Sequence, residues 1–125
     1  MSEDALQIHC AKLLNSYARP DIEWHHVPNG GQRNKKTAQR LKAMGTQSGV
    51  ADLQFVIDNR PIAVELKTEI GSQSKDQIAY QERFTRAGGT YFIARGLDQA
   101  IAVLTTIKTF RSNITIQSSP SEARG

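Results

Sequence analysis

The chain has a single cysteine, Cys10, among its 125 residues. That excludes an internal disulfide and suits a reducing compartment. No apolar run approaches the ~18 residues that span a bilayer. The opening residues, MSEDALQ, are acidic where a signal peptide would be basic and then apolar. These absences lead to the expectation of a cytoplasmic protein with no membrane partner. Histidine is also scarce. His25 and His26 are neighbours, so in a strand they face opposite sides and cannot ligate one ion from one face, and His9 is remote. A zinc site is not expected. There is no G-x-x-x-x-G-K-[ST] loop to cradle a nucleotide, and no Ser/His/Asp set is suggested by position. Internal repeats are absent as well, and the length suits one core.

What is present begins with charge. The net charge is +4 and the pI about 9.5, which permits nucleic-acid binding without demonstrating it. Its distribution says more. RNKKTAQRLK, residues 33 to 42, holds five Lys or Arg and no acid. NGG precedes it, and glycines let backbone amides approach phosphates closely. Asn29, Gly30, Gly31, Arg33, Lys35, Lys36 and Arg40 are therefore expected to contact a DNA backbone. Such contacts position a substrate without reading its sequence. Trp24 and Cys10 read as core residues.

Periodicity predicts eight elements. Residues 2 to 18 have a helical stripe of Leu6, Cys10, Leu13, Leu14 and Tyr17, with Glu3 at its N-terminal end. A short strand is expected near Ile22 to Val27. A basic helix follows over 35 to 44, with Ala38, Leu41 and Met44 facing inward. ADLQFVI and IAVELK read as strands joined by DNRP, a turn sequence. SKDQIAYQERFTRAGG reads as a helix with a Ser74/Gln77 capping box, and TYFIAR as a third central strand. LDQAIAVLTTIKTF reads as a helix capped by Asp98. NITIQ is a candidate edge strand in a polar tail that ends frayed. The order α-β-α-β-β-α-β-α predicts an α/β protein, with a mixed sheet and helices on both faces. It is divided as a domain over 1–112 and a tail over 113–125.

The strand IAVELK carries the chemistry. Ile62, Val64 and Leu66 point one way, and Ala63, Glu65 and Lys67 the other. Asp52 opens the preceding strand. With an even hairpin loop of two or four residues, Asp52 falls opposite Glu65 or Lys67, and all three polar side chains share a face. Two carboxylates this close repel unless a cation lies between them. Mg²⁺ takes oxygen ligands, typically one or two carboxylates, a carbonyl and waters. Asp52, Glu65 and the Leu66 carbonyl can supply that set, with Mn²⁺ able to substitute. Lys67 would then lie beside the attacking water and offset charge on a phosphate in transition. This is equipment for phosphodiester hydrolysis. The bland alternative is a rim ion pair, which would contribute about 0–1 kcal/mol.

Two amides and one further acid call for weighing, and of these Gln77 and Glu3 join the candidate set. Gln77 and Gln81 fall on the inward face of their helix beside Tyr80, Phe84 and Ala87, where amides need partners. Glu3 lies on the apolar stripe and could reach the site as a further carboxylate.

Asp52, then twelve residues, then ELK resembles the D…(D/E)-x-K signature of the PD-(D/E)XK nuclease superfamily. More narrowly, the chain resembles a stand-alone VRR-NUC domain, the virus-type replication-repair nuclease module. The resemblance covers roughly residues 3 to 96. It includes Glu3 and Gln7, VPNGG with Arg33, RLKAMG, GVAD, ELK, SKDQ and AGGTYFIAR. One departure is Ala51, where the family usually has proline. The resemblance implies a restriction-endonuclease-like fold, with Asp52 and Glu65 as metal ligands and Lys67 as catalytic lysine. It adds weight to Glu3 as the helix-borne acid and to Gln77 as the motif glutamine. It further implies an Mg²⁺/Mn²⁺-dependent endodeoxyribonuclease acting on structured DNA, similar to Holliday-junction resolvases in being a homodimer. The expected setting is a bacterial or phage-infected cell. The C-terminal helix stripe and tail are candidate dimer contacts. Alternatives are a non-catalytic DNA-binding module, a flap- or single-strand-preferring nuclease, and a small interaction protein.

Overall fold

The structure, a computed structural model, describes residues 1–28 and 34–117. The expected eight elements are present in the expected order. They are α1 (Glu3–Tyr17), β1 (Glu23–His26), α2 (Lys35–Ala43), β2 (Leu53–Ile57), β3 (Arg60–Lys67), α3 (Lys75–Arg86), β4 (Thr90–Arg95) and α4 (Gly96–Thr106). The sheet order is β1-β2-β3-β4. The first two pairings are antiparallel and the last is parallel, so the sheet is mixed. TYFIAR is thus a strand at the sheet's edge, not a central one.

One face of the sheet makes the core. Leu53, Phe55, Ile57, Ile62, Val64, Leu66 and Ala94 meet Leu6, Cys10 and Leu14 of α1, and Ala100 and Leu104 of α4. Burying a leucine stabilises a fold by about 1.5–3 kcal/mol, so these stripes hold α1 and α4 firmly. The α4 stripe is spent here: Ile101, Leu104 and Ile107 are all buried, which removes it as a dimer contact. The helix also starts earlier than the sequence suggests. Arg95 occupies the N-cap position, and Asp98 lies in the first turn.

The opposite face carries Gln54, Val56, Ala63, Glu65 and Lys67. By register it also carries Tyr91, Ile93 and Arg95 of β4. Here α3 packs over β4 and leaves the far side of β2 open, with Val56 exposed. α3 begins with the capping box expected from sequence: Gln77 N–H donates to Ser74 Oγ, and Ser74 N–H donates to Gln77 Oε1.

Two expectations fail for lack of a surface to pack on. α2 buries no residue, and Met44 is exposed rather than inward. Its apolar positions have helical spacing, but no described element lies beneath them. Residues 113–117 form no strand, although Ile116 packs against the core. The frayed end proposed beyond them lies outside the described residues.

The segment after α2 is fixed more tightly. Gly49 has a φ of +75°, and a Cβ there would lie 2.3 Å from the Asp76 carbonyl oxygen. Only glycine lets the chain cross the start of α3 this closely. That crossing leads directly into β2 and its first polar residue.

Candidate active site at the opening between two strands

The β2–β3 hairpin sets the geometry. Asp58 and Asn59 have φ values of 51° and 64°, which make a two-residue turn of the kind that suits twisted strands. Ile57 therefore pairs with Arg60, and Leu53 with Val64. One step further, Asp52 falls opposite Glu65, one of the two outcomes expected from an even loop. The turn is pinned from outside. Arg19 donates to both oxygens of Asp58, at 3.3 and 2.9 Å, and to the Lys108 carbonyl at 3.2 Å.

β2 stops at Leu53 while β3 runs on to Lys67. The β3 groups past that point need partners. Leu66 N–H donates to Asp52 Oδ2 at 2.8 Å, so a side chain replaces the missing ladder bond. An N–H and C=O of one residue point to the same side of a strand. The Leu66 carbonyl therefore opens into the same gap. Asp52 is held from the other side too. Its carbonyl accepts from Val27 N–H at 2.9 Å, and His26 Nδ1 lies 2.8 Å away. That nitrogen faces an acceptor, so it carries the proton.

Glu65 and Lys67 are not the rim pair of the bland alternative. Glu65 is 2% exposed and Lys67 is 6% exposed. Glu65 Oε2 is buried with no hydrogen-bond partner among the described residues. Burial pushes the Glu65 carboxyl up to about 9, a hydrogen bond to Asp52 and Asp52's charge add to this, and Lys67 opposes it. Glu65 therefore keeps its proton when no cation is near. Among the described residues, no carboxylate lies within ion-pair distance of the Lys67 ammonium. It is a buried cation held beside the carboxyl pair without closing onto it.

A polar wall from α3 and β4 lines this face. Gln54 Nε2 donates to the Tyr80 hydroxyl at 3.0 Å. Gln73 Nε2 donates to Gln81 Oε1 at 2.9 Å and to the Tyr91 hydroxyl at 3.3 Å. Burial raises Tyr91 to about 12, and Glu65's charge contributes. Tyr80 is raised as well, first by burial. Gln54, Gln73, Tyr80 and Tyr91 were not singled out as site residues from sequence. The one available signal was the period-two alternation that puts Gln54 on Asp52's face; the rest depend on how α3 docks and how β4 pairs. Arg95 lies next to Lys67 in register and donates from Nε to the Gly71 carbonyl at 3.2 Å.

The other expected residues stand apart. Gln77 spends its Oε1 on its own helix cap. Glu3 is exposed in the first turn of α1. Among the described residues, no three His, Cys, Asp or Glu groups come together, so Glu3 is not brought to the Asp52–Glu65 pair. Asn29, Gly30, Gly31 and Arg33 lie outside the described residues. Lys35, Lys36 and Arg40 are exposed on α2, and none is ion-paired among the described residues. No described helix is long and apolar enough to cross a membrane.

The residues present fit a hard divalent cation. Two carboxyl groups, one of them with an orphaned buried oxygen, and a strand carbonyl meet at one opening. Mg²⁺ and Mn²⁺ take such oxygen sets and keep several waters. Asp52, Glu65 and the Leu66 carbonyl would hold the ion.

No family model matches the chain, and no curated protein does. Among solved structures, one described as a VRR_NUC domain protein is 22% identical, with a TM-score of 0.68. The match covers 86% of this chain and 88% of that one. Another, described as a VRR_NUC domain, is 17% identical with a TM-score of 0.56, covering 82% of this chain and 94% of that one. At these identities the likeness is one of fold. The chain has the fold of a VRR_NUC domain over most of its length, as its sequence resemblance implied.

Proposed function

We propose that the chain is a metal-dependent endodeoxyribonuclease that hydrolyses phosphodiester bonds in structured DNA. One observation carries this reading: among the described residues, a carboxyl pair whose buried member Glu65 has an unpartnered oxygen opens beside a buried, unpaired lysine at the end of a strand. A structural ion pair would have closed. This arrangement is left open for a cation and a phosphate.

The chain's own residues have separable tasks. Asp52 and Glu65 hold the ion, and Glu65 gives up its proton when they do so. When bound, the divalent cation supplies positive charge against the phosphoryl oxygens and acidifies a water. Lys67 holds and orients the attacking water and offsets the charge that develops at phosphorus. Water oxygen bonds to phosphorus, one ester oxygen departs, and that oxygen takes up a proton. Gln54 and Tyr80 wall the site on the α3 side.

α2 supplies the approach surface. Its cations are exposed and unpaired among the described residues, so they are free to contact phosphates without breaking internal bonds. Replacing Lys35, Lys36 and Arg40 together with alanine should weaken DNA binding and flatten its salt dependence by about 2–3 in log–log slope. The fold should be undisturbed, because α2 buries nothing. An unchanged slope would show that α2 is only solvated surface.

The deciding experiment uses a labelled four-way junction, a flap and a plain duplex, each with Mg²⁺, Mn²⁺ or EDTA. Cleavage with either cation and none in EDTA is expected, the junction being the preferred substrate. Full activity in chelator would refute the metal assignment. Light scattering on the active sample should give a dimer. A duplex has two strands of opposite polarity, and a two-fold pair presents two sites related in the same way. A fully active monomer would refute that arrangement.

A further inference from the structure

One part of the sheet is left uncovered and unused by the roles above. α3 packs over β4 and reaches β2 only through side chains, the Tyr80 hydroxyl on Gln54 and the Phe84 ring beyond it. Between that ring and β1 lies a groove of about 210 Å³. Val56 and Pro61, a cross-strand pair, make its floor, and both are exposed. Val56 is 52% exposed on a sheet whose opposite face is the core. His25 and Glu23 of β1 pair with Gln54 and Val56, so they line the open side. An apolar floor left open beside a site marks a surface that something covers.

The groove is continuous with the opening at Asp52 and Glu65. Gln54 stands two residues from Asp52 on the same face, and its partner Ala63 two residues from Glu65. Two residues of strand cover ~6.6 Å, so the groove starts at a neighbouring nucleotide's distance from the carboxyl pair. Its wall is aromatic. Phe84 stacks on Tyr80, with ring centroids 5.5 Å apart and planes at 24°. The Phe84 ring lies over Gly89, where any Cβ would collide with it. The polar groups sit at the edges, the His25 ring and Gln54 amide at one level and the Glu23 carboxylate at the next. A nucleobase has the matching pattern, two stacking faces and a rim of donors and acceptors. Glu23 repels a phosphate but accepts from an exocyclic amine, so the groove suits a base and not the backbone.

We infer that this groove holds the unpaired nucleobase next to the scissile phosphate, with Phe84, Val56 and His25 as its contacts. This rests on the chain's being a nuclease for structured DNA. Taking a base out of a duplex costs stacking and pairing, and costs least where the base is already unpaired. A branch point or flap supplies such a base, and a plain duplex does not. The groove therefore selects DNA by what its branch exposes, while the cations of α2 hold any backbone alike. Stacking tolerates all four bases, so the choice is of structure and not of sequence.

The test uses a labelled flap DNA whose unpaired nucleotides, counted from the branch, are replaced one at a time by an abasic spacer. No base pair is lost at these positions. Binding to the full chain is read by fluorescence anisotropy in Ca²⁺, and cleavage in Mg²⁺. One position should weaken wild-type binding by about 5-fold or more, the lower end for a base stacked on an aromatic ring; its neighbours should not. Phe84→Leu keeps apolar bulk over Gly89 and loses the ring face. It should bind the intact flap as weakly as the wild type binds the abasic one, and be indifferent to the lesion. A 5-iodouracil at the sensitive position should photocrosslink to Phe84 or His25 in the wild type, which needs no variant to fold. A wild type that feels no single position, a Phe84→Leu that still feels it, or crosslinks confined to other residues each overturn the inference and leave cation-dependent cleavage standing. A Phe84→Leu that scatters as a monomer while keeping the abasic response assigns the groove to a second copy and overturns it too. No cleavage of intact flap, junction or duplex in Mg²⁺ or Mn²⁺ overturns the proposed function, and the inference with it.

Discussion

Lys67→Ala should lower the single-turnover cleavage rate by about 100-fold or more, the scale of removing one electrostatic stabiliser. DNA binding and saturation with cation should persist. The ammonium has no carboxylate within ion-pair distance among the described residues, so removing it breaks no such pair. What it removes is a charge aimed into the gap. The buried stem does matter to packing, and its loss should cost about 1–3 kcal/mol. That corrects the small stability effect expected of a rim residue. Lys67→Met, which keeps most of the stem, should recover stability without recovering rate. Lys67's charge also holds Glu65 down, so the alanine variant should need more cation at neutral pH. Single-turnover rates at saturating Mg²⁺, with melts on both variants, separate these effects. Wild-type cleavage by either variant would return ELK to the status of structural ion pair.

Glu65→Gln should abolish cleavage and yet stabilise the protein in EDTA at mildly alkaline pH. The Glu65 carboxyl is raised from 4.5 to about 9 in the fold, burial being the leading cause. Between those values the folded chain holds a proton that the unfolded chain has lost. Stability therefore falls as pH rises through that window, by at most ~1.4 kcal/mol per pH unit, and levels off above about 9. Glutamine cannot ionise and can still donate to Asp52. The wild-type melting temperature in EDTA should decline from pH 5 to pH 9, while the variant's stays nearly level. At pH 8 the order should be variant above wild type. Adding Mg²⁺ should raise the wild type and leave the variant unmoved, because ion binding replaces the Glu65 proton. Parallel pH profiles for the two proteins would show that Glu65 is not the buried acid described above.

Much of this was legible locally. Each helix and strand has its own periodicity, and the capping residues Ser74 and Gln77 sit within the helix they cap. The Asp52–Glu65 pairing also follows from local rules, because an even hairpin loop forces a shared face. What was not legible depends on surfaces formed elsewhere. Met44 has the spacing of an inward residue, but spacing does not tell whether anything lies beneath it. The burial of Glu65 and Lys67 comes from β4 alongside and α3 above, neither of which is encoded in ELK. Tyr80 and Tyr91 come from different elements, and only the docking of α3 over β4 gathers them. Gln77 and Gln81 share a helical face by spacing, and both are only half-buried on it. Gln77's partner is its own cap, as the capping box implied, while Gln81's is Gln73, which the helical face alone could not reveal.

The two-residue turn at Asp58 and Asn59 has a consequence for how this chain can vary over evolutionary time. Hairpin tips on a surface are ordinarily where insertions and deletions accumulate. Here the tip counts off the distance to the site. Asp52 meets Glu65 because equal numbers of residues separate each from the turn, and the Arg19 clamp on Asp58 keeps that origin in place. Adding or removing one residue, if absorbed as a register slip, would swing every β2 side chain to the other face. Asp52 would move into the hydrocarbon layer, and a core leucine would take its place at the opening. Length is therefore constrained at a position outside the site, and so is identity at Asp58, whose carboxylate takes the Arg19 clamp.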